Sequence, residues 1–442
     1  MPLNKARRGP RVSASTRQVP PSLADAARQW GRIGILSFGG PAAQIALMHR
    51  VVVDERGWMT ERQFMNALSF CMLLPGPEAM QLATYCGWRL HGVFGGLIAG
   101  LLFVMPGALV ILALASFYLL YGSAPGMQAL FLGIKAAVLV IVLEALIKVA
   151  RRALDEPLHW LVAAASFLAL FFFAVPFPLV IVVAGLLGFA TATGGSTAED
   201  GVMPVSLRRT ARTVLVWLAI WLIPLVLAGG GILGEIGWFF SRLATVTFGG
   251  AYAVLAYMAQ AAVETKGWLA ATEMMDGLGL AETTPGPLIL VTEFVGFLAA
   301  ARHNGEPDLA MGLAGALVTL WATFAPCFLW VFAGAPYVEW IASRRRLSRA
   351  LSAISAAVVG VILNLSIWFA LHVLFARVER SDHGFLVLWL PDFTTVDFAA
   401  VSLSAIAAAM LLVARRGVLM TLAVCAVLGL VAGMMFVRPS AF

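Results

Sequence analysis

Two short runs in an otherwise apolar chain combine residue types suited to holding an anion. Pro75-Gly76-Pro77 and Pro285-Gly286-Pro287 each interrupt a long apolar segment. Proline removes a backbone donor and obstructs a helix, while glycine reaches conformations other residues avoid. Such a break within a bilayer exposes a new helix N-terminus, whose free N–H groups and positive dipole end attract negative charge. Thr283 and Thr284 offer hydroxyl donors beside the second break. Glu78 follows the first break and Glu282 precedes the second. A carboxylate there serves either as a helix cap or as a group that exchanges a proton during the working cycle. Structural kinks are the alternative reading of one such break; two matched copies favour a site.

Other ionisable residues sit in apolar surroundings, where they are costly and usually have a task. Lys135 and Glu144 lie in the apolar stretch 127–150, too far apart to pair along one helix face. Lys135 could offset the charge of a dianion or snorkel to the interface, and Glu144 could carry a proton or pair with a cation elsewhere. Gln44, Gln81 and Asn364 offer neutral amide contacts. Gly39 and Gly40, in Phe38-Gly39-Gly40-Pro41, and Gly249 and Gly250, after Phe248, form a second pair of bare-backbone sites. They allow close approach of an anion or of another helix.

The elements that must position these residues follow from composition. The chain has 442 residues, 61% of them hydrophobic and 12% charged. Soluble domains are roughly 45–50% apolar and about 25% charged. A soluble globule is therefore excluded, and the fold class expected is an all-α polytopic membrane protein. Apolar stretches long enough to span occupy 93–121, 127–150, 158–175, 177–192, 212–229, 235–262, 309–334, 350–376, 398–414 and 418–437. The segments 24–53, 62–90 and 271–301 are broken, and each is expected to cross once, with re-entrant hairpins at the two Pro-Gly-Pro segments as the alternative. The total is then about 13 transmembrane helices. Basic loops at 148–156, 208–212, 344–349 and 415–416 fall on the cytoplasmic side of that arrangement, with the N-terminus inside and the C-terminus outside. The net charge of +7 is accounted for by these loops, and nucleic acid is not expected as a partner.

The chain also repeats itself. Ser37-Phe38-Gly39-Gly40 returns as Thr247-Phe248-Gly249-Gly250, Asp54 as Glu264, Trp58 as Trp268 and the first Pro-Gly-Pro as the second, all at an offset of 210. Further on the offset is 220: Gly92 matches Gly312, Pro106 matches Pro326 and Glu144 matches Asn364. An odd number of spans between the copies makes them two inverted-topology repeats with helices broken at Pro-Gly-Pro, an architecture typical of secondary transporters. The expected divisions are a disordered cytoplasmic tail (1–22), an N-terminal repeat (23–192), a linker with a linking helix (193–230) and a C-terminal inverted repeat (231–442).

Cys71, Cys86, Cys327 and Cys425 have neither CxxC nor metal-ligand spacing, and the histidines show no ligand pattern, so no metal is expected. No Walker, GxSxG or HExxH motif occurs, so no catalytic residue and no cofactor is expected. The chain reads as a transporter, not an enzyme.

The motif blocks resemble the chromate ion transporter family in its long two-domain form. The likeness is carried by Ser37-Phe38-Gly39-Gly40-Pro41, Met48-His49-Arg50, Cys71-Met72-Leu73-Leu74-Pro75-Gly76-Pro77-Glu78-Ala79, Gly133-Ile134-Lys135-Ala136-Ala137-Val138 and Gly277-Leu278-Gly279-Leu280-Ala281-Glu282-Thr283-Thr284-Pro285-Gly286-Pro287. It covers residues 25–375. The resemblance implies export of chromate, a tetrahedral oxo-dianion, across the inner membrane and hence chromate resistance. Sulfate or another oxyanion, and a passive anion channel, are the alternatives. The partners expected are the oxyanion and the lipid bilayer, and a homodimer is a possible assembly.

Overall fold

The computed structural model describes residues 21–122, 124–192, 207–248, 251–338, 344–384 and 386–436. The expectations for the tail before residue 21, for 193–206 and for Gly249 and Gly250 lie outside the described residues. The described chain is helical apart from one β-hairpin. The helices are α1 (Leu23–Leu36), α2 (Gly40–His49), α3 (Glu61–Cys71), α4 (Glu78–Tyr121), α5 (Pro125–Ala153), α6 (Pro157–Phe171), α7 (Phe177–Ala190) and α8 (Leu207–Leu227). Then follow α9 (Ile232–Thr245), α10 (Ala251–Gln260), α11 (Ala271–Thr283), α12 (Val291–Ala301), α13 (Leu309–Gly334) and α14 (Arg345–Leu374). The hairpin of β1 (Val378–His383) and β2 (Leu386–Pro391) precedes α15 (Phe398–Ala408) and α16 (Val418–Phe436). Five helices are long and apolar enough to cross a bilayer: α4, α5, α8, α13 and α14.

The offset seen in the sequence recurs in the local structure. A π-helical turn, Arg50–Glu55, continues α2, and another, Ala261–Thr265, continues α10. Gly57 and Gly267, ten score and ten residues apart, both adopt positive φ, at 58° and 60°. Trp58 and Trp268 each donate a backbone hydrogen bond of 2.8 Å, to Val52 and Ala262 respectively.

Ion pairs and hydrogen bonds draw together the two ends of the broken segments. Asp25, at the start of α1, lies 3.8 Å from Arg56, beyond the end of α2. The repeat-equivalent pair, Glu235 and Lys266, joins the start of α9 to the residue after the π turn at 2.5 Å. Glu273, at the start of α11, pairs with Arg302, just past α12, at 2.6 Å. His91, where α4 leaves helical geometry, hydrogen-bonds to the Pro21 carbonyl at 2.7 Å. Each segment therefore returns to the end of the molecule from which it set out. Residues 24–53, 62–90, 235–262 and 271–301 are helical hairpins. Their arms are short: α1 and α3, at about 21 Å and 16 Å by helical rise, fall well short of a hydrocarbon core of about 30 Å.

Long helices enclose these hairpins. The end of α5 meets the start of α14, where Arg349 pairs with Glu156 at 2.7 Å. The last two helices of each half pack on the other half: α6 and α7 lie against α14, and α15 and α16 against α5. Small residues permit the closest approaches, as expected where lipid removes a hydrophobic drive between helices. Gly107 of α4 is one such position, since a Cβ there would collide with the Pro285 carbonyl.

Candidate functional site

The tips of the four helical hairpins meet in the interior, and the two halves bond to one another there reciprocally. The Gly76 N–H donates to the Thr247 carbonyl at 2.7 Å, and the Gly286 N–H donates to the Ser37 carbonyl at 2.8 Å. Ser37 and Thr247 are repeat-equivalent, as are Gly76 and Gly286. Their hydroxyls make the same bond, Ser37 to Ile33 at 2.6 Å and Thr247 to Leu243 at 2.7 Å. Positive φ at Gly76 (126°) and Gly286 (95°) is what turns each tip, which explains glycine between the two prolines. Gln44, buried, donates to the Gly286 carbonyl at 2.6 Å and to the Ser37 carbonyl at 3.3 Å. Gln81 donates to the Pro75 carbonyl at 2.7 Å. Both amides thus hold tips in place.

Beside the tips lies a cavity of about 380 Å³ lined by polar and charged groups. Gly39, Gly40, Glu78, Glu144, Lys148, Arg152, Tyr252 and Glu282 all contribute. Gly39 and Gly40, at φ 84° and 77°, form the N-terminal turn of α2, which has no side-chain cap. That turn, the positive dipole end of α2, lines the cavity together with Lys148 and Arg152. Lys148 pairs with Glu144 at 2.6 Å and is 65% exposed, so the cavity opens at the basic end of α5. Tyr252 donates to Glu282 at 2.8 Å. Two repeat-equivalent pairs, Ala42 with Tyr252 and Met72 with Glu282, line the same cavity. It therefore lies where the two halves meet.

The remaining expected site residues fall elsewhere. Lys135 is 3.3 Å from Asp276 of α11, a buried ion pair whose second carboxylate oxygen accepts from Tyr118 at 2.8 Å. The hydroxyls of Thr283 and Thr284 donate to the Leu280 and Ala281 carbonyls of their own helix, at 2.8 and 2.9 Å. Pro75, Pro77, Pro285 and Pro287 frame the tips without lining the cavity. Asn364 lines a separate void beneath the β-hairpin. The N–H groups of Gly76 and Gly286 are engaged by carbonyls of the opposite half, so neither is free for an anion in this conformation.

Sequence reasoning passed over Tyr252, Asp276 and the site role of Lys148 and Arg152. For Lys148 the signal was present, because Glu144 and Lys148 have the spacing that pairs charges on a helix. Asp276 was visible as a charge within an apolar helix. Glu293 of α12 was also missed; it is fully buried, and neither carboxylate oxygen has a hydrogen-bond partner among the described residues. Among the described residues no group of histidine, cysteine and acidic side chains could hold a metal ion.

Apolar helices long enough to span, half-length hairpins between them and a charged interior cavity define a multi-pass membrane transporter. The family model "Chromate transporter" matches residues 24–189 and 234–430. The chain belongs to the chromate transporter family. It is 30% identical over 349 residues to a probable chromate transport protein of Synechococcus elongatus, covering 77% of this chain and 83% of that protein. A chromate transport protein of Pseudomonas aeruginosa is 30% identical over 363 residues, covering 79% of this chain and 82% of its own length. One from Cupriavidus metallidurans is 28% identical over 338 residues, covering 75% and 78%. No solved structure matches the chain.

Proposed function

We propose that this protein is a secondary transporter that exports chromate from the cytoplasm through the inner membrane, by alternating access coupled to protons. The observation that carries the reading is the cavity at the hairpin tips. It joins an uncapped helix N-terminus, Lys148 and Arg152 with Glu78, Glu144 and Glu282. The first group attracts a tetrahedral dianion. The second repels it unless protonated. At an effective dielectric of about 20, an ionised carboxylate about 5 Å from a dianion opposes it by about 7 kcal/mol. Glu144 already has Lys148 as its counter-charge. Occupancy by the dianion is thus linked to the protonation of Glu78 and Glu282. The names of the relatives supply chromate as the oxyanion.

The topology follows from the four hairpins. Nine crossings remain: the second arm of α4, then α5, α6, α7, α8, α13, α14, α15 and α16. This puts 148–156, 208–212, 344–349 and 415–416 in the cytoplasm, with the N-terminus inside and the C-terminus outside. Residues 23–192 and 231–442 are then inverted repeats joined across the linking helix α8. The meeting of the end of α5 with the start of its equivalent, α14, supports that inversion. The cavity opens to the cytoplasm, so the conformation is inward-facing.

Uptake of labelled chromate into everted membrane vesicles tests the reading, with an imposed pH gradient and with excess sulfate. Accumulation beyond equilibrium that collapses with the gradient is expected. Equilibration without accumulation would mean a channel, and uptake abolished by equimolar sulfate would make sulfate the substrate.

A further inference from the structure

At the end of the molecule opposite Lys148 and Arg152 there is a second void, beneath the β-hairpin. From Arg349 to Leu374, α14 runs about 38 Å at its helical rise, which sets the distance between the two ends. The void is lined by Gln260, Asn364, Trp368, Arg380 and Trp389 among others and measures about 10 Å³. That is room for about one water and too little for an oxyanion, so in this sense the void is closed.

Two relations tie it to the inner cavity. The first is continuity. Tyr252 of α10 and Ile362 of α14 line the inner cavity, while Ala256 and Gln260, one and two turns along α10, and Leu365, about one turn along α14, line the outer void. The second is equivalence. Glu144, Ala145 and Lys148 line the inner cavity from α5; at the offset of 220 they become Asn364, Leu365 and Trp368, which line the outer void from α14. The equivalent helices present the same three positions to the two spaces.

One group is missing from that equivalence, the cation, because Trp368 stands where the first half has Lys148. The hairpin supplies it. Arg380 of β1 pairs with Glu264 at 3.0 Å and lies over the Trp389 ring of β2 at 5.9 Å. The other oxygen of Glu264 accepts from the Trp368 indole at 3.0 Å. The Val387 N–H ties β2 to the Phe172 carbonyl beyond α6 at 2.8 Å. The first half has no such lid: only residues 154–156 separate α5 from α6, whereas 375–397 separate α14 from α15.

We propose that the closed void is an outer station for the same oxyanion, that the hairpin is its lid, and that Arg380 exchanges Glu264 for the departing anion as the lid lifts. The anion half of this statement rests on the export reading above; the lid does not.

The test places a single cysteine at Asn364→Cys, and in a second variant at Gln260→Cys, and measures labelling by a membrane-impermeant maleimide applied to whole cells. The four native cysteines are buried and give little background. Labelling is expected to be slow, to quicken at least tenfold when Glu264→Gln or Arg380→Gln is added, and to slow again with Arg380→Lys. Equal rates at both positions in every background would overturn the lid. In parallel, vesicle transport of chromate is expected to fall at least tenfold in Arg380→Gln and to be largely kept in Arg380→Lys. Full transport in Arg380→Gln would overturn the outer station. The labelling needs no chromate, so a wild-type protein that moves none sinks the export reading alone and leaves the lid to be judged on labelling.

Discussion

Breaking the Lys135–Asp276 pair separates two roles for Lys135. The ammonium lies 3.3 Å from the carboxylate, with side chains 16% and 6% exposed. Lys135→Met leaves Asp276 buried, with the Tyr118 hydroxyl as its remaining partner. Removing one member of a buried pair costs about 3–5 kcal/mol, because the orphaned charge keeps its desolvation penalty. At about 1.4 kcal/mol per decade this is two to three and a half orders of magnitude in the folding equilibrium. Asp276→Asn in the same chain removes the stranded charge and keeps an acceptor for Tyr118. Thermal unfolding of the detergent-purified protein is the first readout and vesicle transport of chromate the second. The single variant should unfold at a markedly lower temperature, and the double variant should recover most of the loss. It should also recover transport, because the charge of Lys135 is spent on Asp276 rather than on the substrate. A double variant that is stable yet inert would refute this reasoning and return Lys135 to the substrate.

Other consequences follow from the same geometry. Glu282→Gln should keep chromate exchange at equal pH but lose accumulation driven by a pH gradient; unchanged gradient-driven accumulation would remove Glu282 from the coupling. Gly286→Ala forces an L-residue to φ 95° with its Cβ 3.1 Å from Leu290, a cost of about 1–2 kcal/mol that should lower thermal stability, whereas Gly126→Ala, in open space, should not. Glu264, beyond the spans at the outer end, has its pKa raised by burial, against the opposing hydrogen bond of Gln260, the charge of Arg380 and the hydrogen bond of Trp368. Its ion pair with Arg380 is present above that pKa and is lost as pH falls through it. Labelling of Asn364→Cys should therefore quicken as the outside is acidified, at a pH nearer neutral than an exposed carboxylate would give, and Glu264→Gln should abolish the dependence. A pH-independent rate in the unmutated latch would refute that assignment.

Hydropathy revealed the apolar segments, and the fixed offset revealed the duplication, because both are properties of the chain in one dimension. Whether a broken segment crosses or returns is not such a property. Two half-length helices bury the same apolar length in either case. The deciding information lay in the charges at their ends. Asp25 and Arg56, and 210 residues later Glu235 and Lys266, place opposite charges at the two ends of equivalent segments. Opposite charges recurring in both copies at the mouth of a hairpin are a signal that the apolar runs drown out. The basic loops could not arbitrate: turning four crossings into four returns preserves which side each later loop occupies.

The site was legible in its location more than in its chemistry. The tips marked by Pro-Gly-Pro do lie at the centre, but the backbone donors they free are taken by Thr247 and Ser37 of the opposite half. A mid-membrane N–H cannot wait unpaired for a substrate without cost, so a resting structure spends it on whatever carbonyl the fold brings near. The proposed anion site therefore rests on the N-terminal turn at Gly39 and Gly40, which lines the cavity, and on the cations at the open end of α5. Four of the polar groups there share a feature the sequence did display. Glu78 stands against Leu288 in the other copy, Tyr252 against Ala42, Glu282 against Met72 and Lys148 against Trp368. Symmetric positions build the scaffold, since both halves must make the same turns and the same cross-bonds. Positions where one copy is charged and the other apolar cannot serve that shared architecture, and the cost of a charge inside the membrane must be met by a task. Subtracting one copy from the other, rather than matching them, is what points to the cavity.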